Sequence, residues 1–116
     1  VYLYCFERKL PGDDAGAYHS ADLWYVFQTM GRNWRTFSEQ DYRLSEEIAD
    51  RWAAFAKTGT PNTDSYADWR PYTREEPMEM VFDGAGKMRA LKENARVTFR
   101  KDYVLGQHAD EKRKRV

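Results

Sequence analysis

The sequence predicts an α/β fold, and three observations carry that prediction. The chain opens on an almost wholly apolar run, Val1-Tyr2-Leu3-Tyr4-Cys5-Phe6. Continuous apolar runs of this length suit a strand buried on both faces, as in a parallel sheet covered by helices. A long stretch from Ser38 to Gly59 has helical spacing, and Met78, Met80 and Phe82 later alternate with Glu79 and Val81 ahead of a Gly-rich turn.

Taken in order, Glu7 to Gly16 reads as a loop, marked by Pro11-Gly12-Asp13-Asp14. Ala21 to Phe27 fits either a short helix or an extended run, and Gly31 to Phe37 reads as a connector. Ser38 can cap the following helix, with Glu39 and Asp41 near its positive end. Leu44, Ile48, Trp52, Phe55 and Ala56 form its core-facing stripe, leaving Arg43, Glu46, Glu47, Asp50, Arg51 and Lys57 on other faces. Gly59 stops the helix and Pro61 follows as breaker. Pro61 to Pro77 is irregular, and Trp52, Phe55 and Trp69 read as core. Met78 to Phe82 is a short strand, Asp83-Gly84-Ala85-Gly86 a turn, and Lys87 to Leu91 a strand able to pair back. Asn94 to Leu105 stays open between helix and coil, so the chain divides into an ordered part, 1–105, and a polar, disordered tail, 106–116.

The composition excludes several function classes. The 116 residues carry 19 basic and 19 acidic side chains, so no global field draws nucleic acid or an anionic membrane. No apolar run reaches the roughly 20 residues of a membrane-spanning helix. Cys5 is the sole cysteine and rules out an internal disulfide; within its strand it reads as a small buried hydrophobe. The two histidines and Cys5 lie far apart without zinc-like spacing, and no Gly-rich phosphate loop follows a strand, so neither metal nor cofactor is expected. The opening strand pattern makes Val1 read as an internal position of a longer gene product.

His19 is the residue with the clearest chemical placement. It lies in Gly16-Ala17-Tyr18-His19-Ser20-Ala21-Asp22-Leu23, on a loop beyond the first strand. An imidazole there is placed like a catalytic base in an open α/β sheet. His108 falls in the polar tail and reads as an inert side chain, and Lys112 to Arg115, preceded by Asp110 and Glu111, as a solvated end.

Four segments in order resemble the C-terminal region of the type B carboxylesterase/cholinesterase family of α/β-hydrolases. They are the opening strand, the histidine segment followed by Tyr25-Val26-Phe27, the helix end Arg51-Trp52-Ala53-Ala54-Phe55-Ala56-Lys57-Thr58-Gly59-Thr60-Pro61-Asn62, and Trp69-Arg70-Pro71-Tyr72. The resemblance covers residues 1–83. Many members carry Gly after the histidine and an acidic residue, often Glu, three places beyond it; here those places hold Ser20 and Asp22.

The resemblance implies a C-terminal fragment of an α/β-hydrolase sheet: one buried strand, the histidine loop, a long amphipathic helix and a small β-hairpin. It implies acyl transfer by a Ser–His–acid triad, with His19 as general base and acid. Chain order in these folds is Ser, acid, His, and this chain holds neither a G-x-S-x-G elbow nor an HGG-type oxyanion loop. The nucleophile, acid and oxyanion hole are therefore expected elsewhere in the polypeptide, and the chain alone is expected to be inactive. Ser20 and Asp22 are expected to support the histidine, Asp22 either by orienting it or structurally. Tyr18, Trp24 and Phe27 fit core packing, with an acyl or alcohol pocket as the functional alternative.

A strand of this kind needs neighbours on both edges. The expected partner is the remainder of the esterase polypeptide or a second copy completing the sheet, and the expected substrate a small-molecule ester. A non-catalytic interaction module and an inactive, self-associating fragment stand as the other readings.

Overall fold

The computed structural model describes residues 1–91, 99–100 and 102–107. The elements run β1 (Tyr4–Phe6), α1 (Leu23–Val26), a short 3-10 turn (Met30–Arg32), α2 (Glu39–Thr58), β2 (Met78–Phe82) and β3 (Gly86–Ala90). Residues 99–100 and 102–107 are also helical, so helical structure crosses the 105/106 boundary. His108 and the basic end at Lys112–Arg115 lie outside the described residues, as does the tail from 108 onward.

The sheet has the order β1-β2-β3. β1 pairs parallel with β2, Tyr4 opposite Met80 and Phe6 opposite Phe82. β2 pairs antiparallel with β3, Met80 opposite Met88 and Phe82 opposite Gly86. The parallel pair needs a crossover, and the loops, α1 and α2 between β1 and β2 supply it.

The buried strand is β2, not β1. Met80 and Phe82 are fully enclosed and Val81 and Glu79 nearly so. β1 has only 3 residues, exposed or half-buried. Among the described residues it lies at the sheet edge, paired on one side. Its apolar character outruns what this chain can cover. Ahead of it the Val1 carbonyl accepts the Tyr72 N–H at 2.8 Å and the Leu3 carbonyl the Met80 N–H at 2.9 Å.

Helix α2 has a complete set of ends. The Ser38 Oγ accepts the Asp41 N–H while the Asp41 carboxylate accepts the Ser38 N–H, a capping box that satisfies two otherwise orphaned donors. At the other end Gly59 takes φ +81 and donates its N–H to the Phe55 carbonyl. Leu44 and Ile48 are buried against Tyr25, Met80, Phe82 and Trp69.

Two features of α2 differ from its hydrophobic pattern. Trp52 is only half-buried and Phe55 is 52% exposed, because the core lies against the first half of the helix. Phe55 meets only the edge of Tyr2 among the aromatic rings, at 6.1 Å between centroids. Glu47 and Arg51, assigned by their charge to the outer faces, are buried, Arg51 completely. The Arg51 Nε donates to Glu47 at 2.9 Å, and its terminal nitrogens donate to the Pro61 and Ala67 carbonyls. Its guanidinium also lies over the Trp69 and Tyr66 rings.

The Glu47 carboxylate reaches the hairpin as well, accepting the Gly86 N–H at 3.1 Å. A Cβ at residue 86 would run into that carboxylate and crowd Met80 and Phe82, so this corner requires glycine. Removing one partner of a buried ion pair strands the other. Glu47→Ala is therefore expected to cost about 3–5 kcal/mol, read as a lowered denaturant midpoint.

Candidate active-site segment

The segment that carries His19 is a loop between β1 and α1 held at many points. Leu10 is buried and its N–H is donated to the Gly16 carbonyl at 3.3 Å. Arg35 donates to the Pro11 carbonyl at 2.8 Å and pairs with Asp13 through two nitrogens. The same guanidinium lies over the Tyr18 ring, 5.4 Å from its centroid, and over Trp34. The buried Arg35 side chain, paired with Asp13 of the loop, thus fixes the loop from outside its own sequence.

His19 occupies the second position of a turn closed by the Ala21 N–H donated to the Tyr18 carbonyl at 3.0 Å. Its side chain is exposed. Ser20 is also exposed and has φ +67, the left-handed region that favours glycine. A glycine at this position would take the same dihedral without strain. Ala21, with no exposed surface, anchors the turn to the core.

Asp22 begins α1 without capping it through its side chain. Its carboxylate instead accepts the Tyr4 hydroxyl at 2.7 Å. Burial, together with this bond and the adjacent negative charge, pushes the Tyr4 hydroxyl up to about 12. Tyr4 therefore stays a donor across the ordinary pH range and ties the start of α1 to β1.

Tyr18 and Trp24 come together, the Trp24 Nε1 donating to the Tyr18 hydroxyl at 3.3 Å. Trp24 packs half-buried against the core. Core packing does not hold for Phe27, which is 67% exposed, nor fully for Tyr18, at 37%. The reason is the phase of α1. Ala21 and Tyr25 share one face against α2, which turns Leu23 and Phe27 outward. An apolar hollow of about 190 Å³ lies elsewhere, lined by Tyr2, Tyr4, Arg51, Trp52, Phe55, Pro61 and Trp69.

The residues that organise this region are Tyr25, Asp41 and Arg8. Asp41 is 1% exposed. One of its oxygens accepts both the Arg8 Nε and the Tyr25 hydroxyl, each at 2.8 Å. The other accepts the Ser38 N–H and hydroxyl. Ser45 adds a bond from its hydroxyl to the Tyr25 carbonyl at 2.7 Å. Burial opposes the charge on Asp41, but the Arg8, Ser38 and Tyr25 donors outweigh it and hold the carboxyl below its usual range. The one sequence signal for this junction is S-x-x-D at residues 38–41, a capping pattern that places Asp41 on the first turn but says nothing of Arg8 or Tyr25.

A model of the carboxylesterase family matches residues 1–100, beyond the four ordered motifs. The chain belongs to the carboxylesterase family. It is 28% identical to human bile salt-activated lipase over 110 residues, covering 90% of this chain and 15% of that protein. It is 32% identical to an acetylcholinesterase of Leptinotarsa decemlineata over 95 residues, covering 75% of this chain and 15% of that one. Among solved structures, a thermophilic PNB esterase superposes with TM-score 0.71 at 23% identity, over 84% of this chain and 21% of that one. A Geobacillus stearothermophilus carboxylesterase gives 0.63 at 26% identity, over 76% and 19%. The fold is thus part of an α/β-hydrolase esterase, and the chain spans 15% of the length of those two curated relatives.

Two outcomes are expected from this geometry. Ser20→Gly relieves the left-handed backbone, and thermal unfolding should show a gain of about 0.5–1 kcal/mol after the entropy of the added glycine is offset. Asp41 has a folded value below its unfolded one, near 4, so its contribution is full above about pH 4 and is lost as pH falls through the folded value. Asp41→Asn should lower stability at neutral pH and flatten its decline below about pH 4 in acid titrations followed by circular dichroism.

Proposed function

We propose that this chain is the histidine-bearing C-terminal portion of a serine carboxylesterase, with His19 as general base and then general acid in the hydrolysis of small-molecule carboxylic esters. The observation that carries the reading is an exposed imidazole on a turn whose flanks are fixed, in a chain of this family. Tyr18 is held by Trp24 and Arg35, and Asp22 by Tyr4, while the His19 side chain remains accessible.

The chemistry needs that combination. A serine hydroxyl is too weak an acid to attack an ester at neutral pH. A neutral imidazole within hydrogen-bond reach takes its proton, the oxygen adds to the carbonyl, and the imidazolium then protonates the leaving alcohol. Water repeats the cycle on the acyl-enzyme. The serine, the acid and the oxyanion donors are supplied by the remainder of the polypeptide, which also supplies the neighbour for the free edge of β1. Membership of the family and the likeness to esterase structures support this reading.

In the full-length enzyme, His19→Ala should lower kcat on a p-nitrophenyl ester by about 10⁴-fold or more with little change in Tm. A loss of only a few-fold would remove His19 from the base role. The 116-residue chain by itself should release no burst of p-nitrophenol.

A further inference from the structure

We propose that Asp41 is a positioning residue for His19, acting by closing both ends of the histidine loop on one carboxylate oxygen. The proposal rests on the reading of His19 as the base.

The geometry is specific. Arg8 lies two residues past β1 and Tyr25 lies in α1, so these two residues bracket the loop that carries His19. Both donate to the same Asp41 oxygen, and the second oxygen is committed to the Ser38 cap. The carboxylate therefore locks three segments at once: the exit of β1, the helix that receives the histidine turn, and the first turn of α2. Its capping role needs only one oxygen. The other serves the loop alone.

The consequence for His19 follows from its neighbours. The turn at residues 18–21 leads straight into α1, and α1 has only 4 residues. A helix that short has no stability of its own and takes its position from what holds it. Tyr25 is its buried residue, fixed through its hydroxyl by Asp41 and through its carbonyl by Ser45. Releasing the hydroxyl lets α1 shift on α2 and carries the imbalance to the histidine turn, where displacements near 1 Å are worth about 100-fold in rate. Asp41 touches neither the imidazole nor any reacting atom; it acts through Tyr25 and Arg8.

The test uses the full-length esterase that carries this segment, assayed with p-nitrophenyl acetate well below every variant's Tm. Tyr25→Phe keeps the ring against Phe6 and Phe37 and removes only the bond to Asp41. It should lower kcat about 10-fold or more while KM changes less than about 2-fold. Asp41→Asn should do the same to a greater degree; should it fail to fold, Tyr25→Phe decides alone. Glu47→Gln, which loosens the Arg51 and Gly86 contacts instead, should lower Tm and leave kcat as in the parent enzyme. A kcat for Tyr25→Phe equal to that of Glu47→Gln at matched Tm loss overturns the proposal. His19→Ala in the same series separates the two readings. If it is inactive while Tyr25→Phe is not impaired, only the positioning role fails; if it remains active, the assignment of the base fails with it.

Discussion

The rest of this structure hangs on the buried guanidinium of Arg51. It sits with no exposed surface in the second half of α2 and is answered by one carboxylate, two backbone carbonyls and two aromatic rings. These groups come from two parts of the chain, Glu47 from α2 and the rest from residues 61–69. The Pro61 and Ala67 carbonyls lie in the irregular segment that brings Trp69 into the core, and the Glu47 carboxylate also accepts the Gly86 N–H at the start of β3. A planar donor with five N–H groups can satisfy that many acceptors at fixed angles, which a lysine cannot. The segment from Pro61 to Pro77 has no regular secondary structure of its own, and two of its backbone carbonyls, Pro61 and Ala67, find their partner in this side chain. Asn62 completes the arrangement by accepting the Trp69 N–H at 2.6 Å and donating to its carbonyl.

Asp41 plays the corresponding part at the opposite end of the same helix. Two acidic side chains of α2 are thus nearly inaccessible, one turned to the hairpin and the other to the histidine loop. Each is compensated by cationic and neutral donors, which is the condition for keeping a carboxylate charged in the interior. This division makes α2 the spine of the fragment. Its apolar residues supply burial, about 1.5–3 kcal/mol for each enclosed side chain of the size of Leu44 or Ile48. Its two buried carboxylates fix where the loops meet it, a directional constraint that burial alone does not provide.

The sequence made α2 legible because every local signal there agrees: Ser38 at the start, the stripe through Leu44 and Ile48, Gly59 and Pro61 at the end. The pairing of β2 and β3 was legible from alternation on one side of a Gly-rich turn, with Lys87 to Leu91 on the other side able to pair back. What was not legible is which charged residues turn inward. Glu47 and Arg51 fall off the apolar stripe, and a pattern that sorts residues by polarity sends them to solvent; only the backbone carbonyls of a segment ten and more residues later show why they stay inside. The short α1 failed in a related way. Tyr18, Leu23, Trp24, Tyr25 and Phe27 are all large and apolar, so the sequence offers no phase, and the phase is set by the bonds from Tyr25 to Asp41 and from Ser45. His19 itself stood out through its motif context, whereas the residues that hold its loop came from three separate elements.

β1 shows how far a fragment's pattern can exceed its own packing. Val1 to Phe6 carries the composition of a strand enclosed on every side, yet only Tyr4–Phe6 forms ladder structure and no described residue covers its outer edge. Beside it, Tyr2, Tyr4, Trp52, Phe55 and Trp69 stand around an apolar hollow, the tyrosines edge to face with their neighbours and the two tryptophans tilted on each other. Aromatic surface and unpaired strand groups in one place favour association. On the proposed reading the occupant is the rest of the same α/β domain, and the consequence reaches the histidine. Tyr4 lines the hollow with its ring and holds Asp22 with its hydroxyl, three residues from His19. The Tyr4 ring packs against Trp52, Trp69 and Phe82, so the hollow and the start of α1 share one side chain as their link.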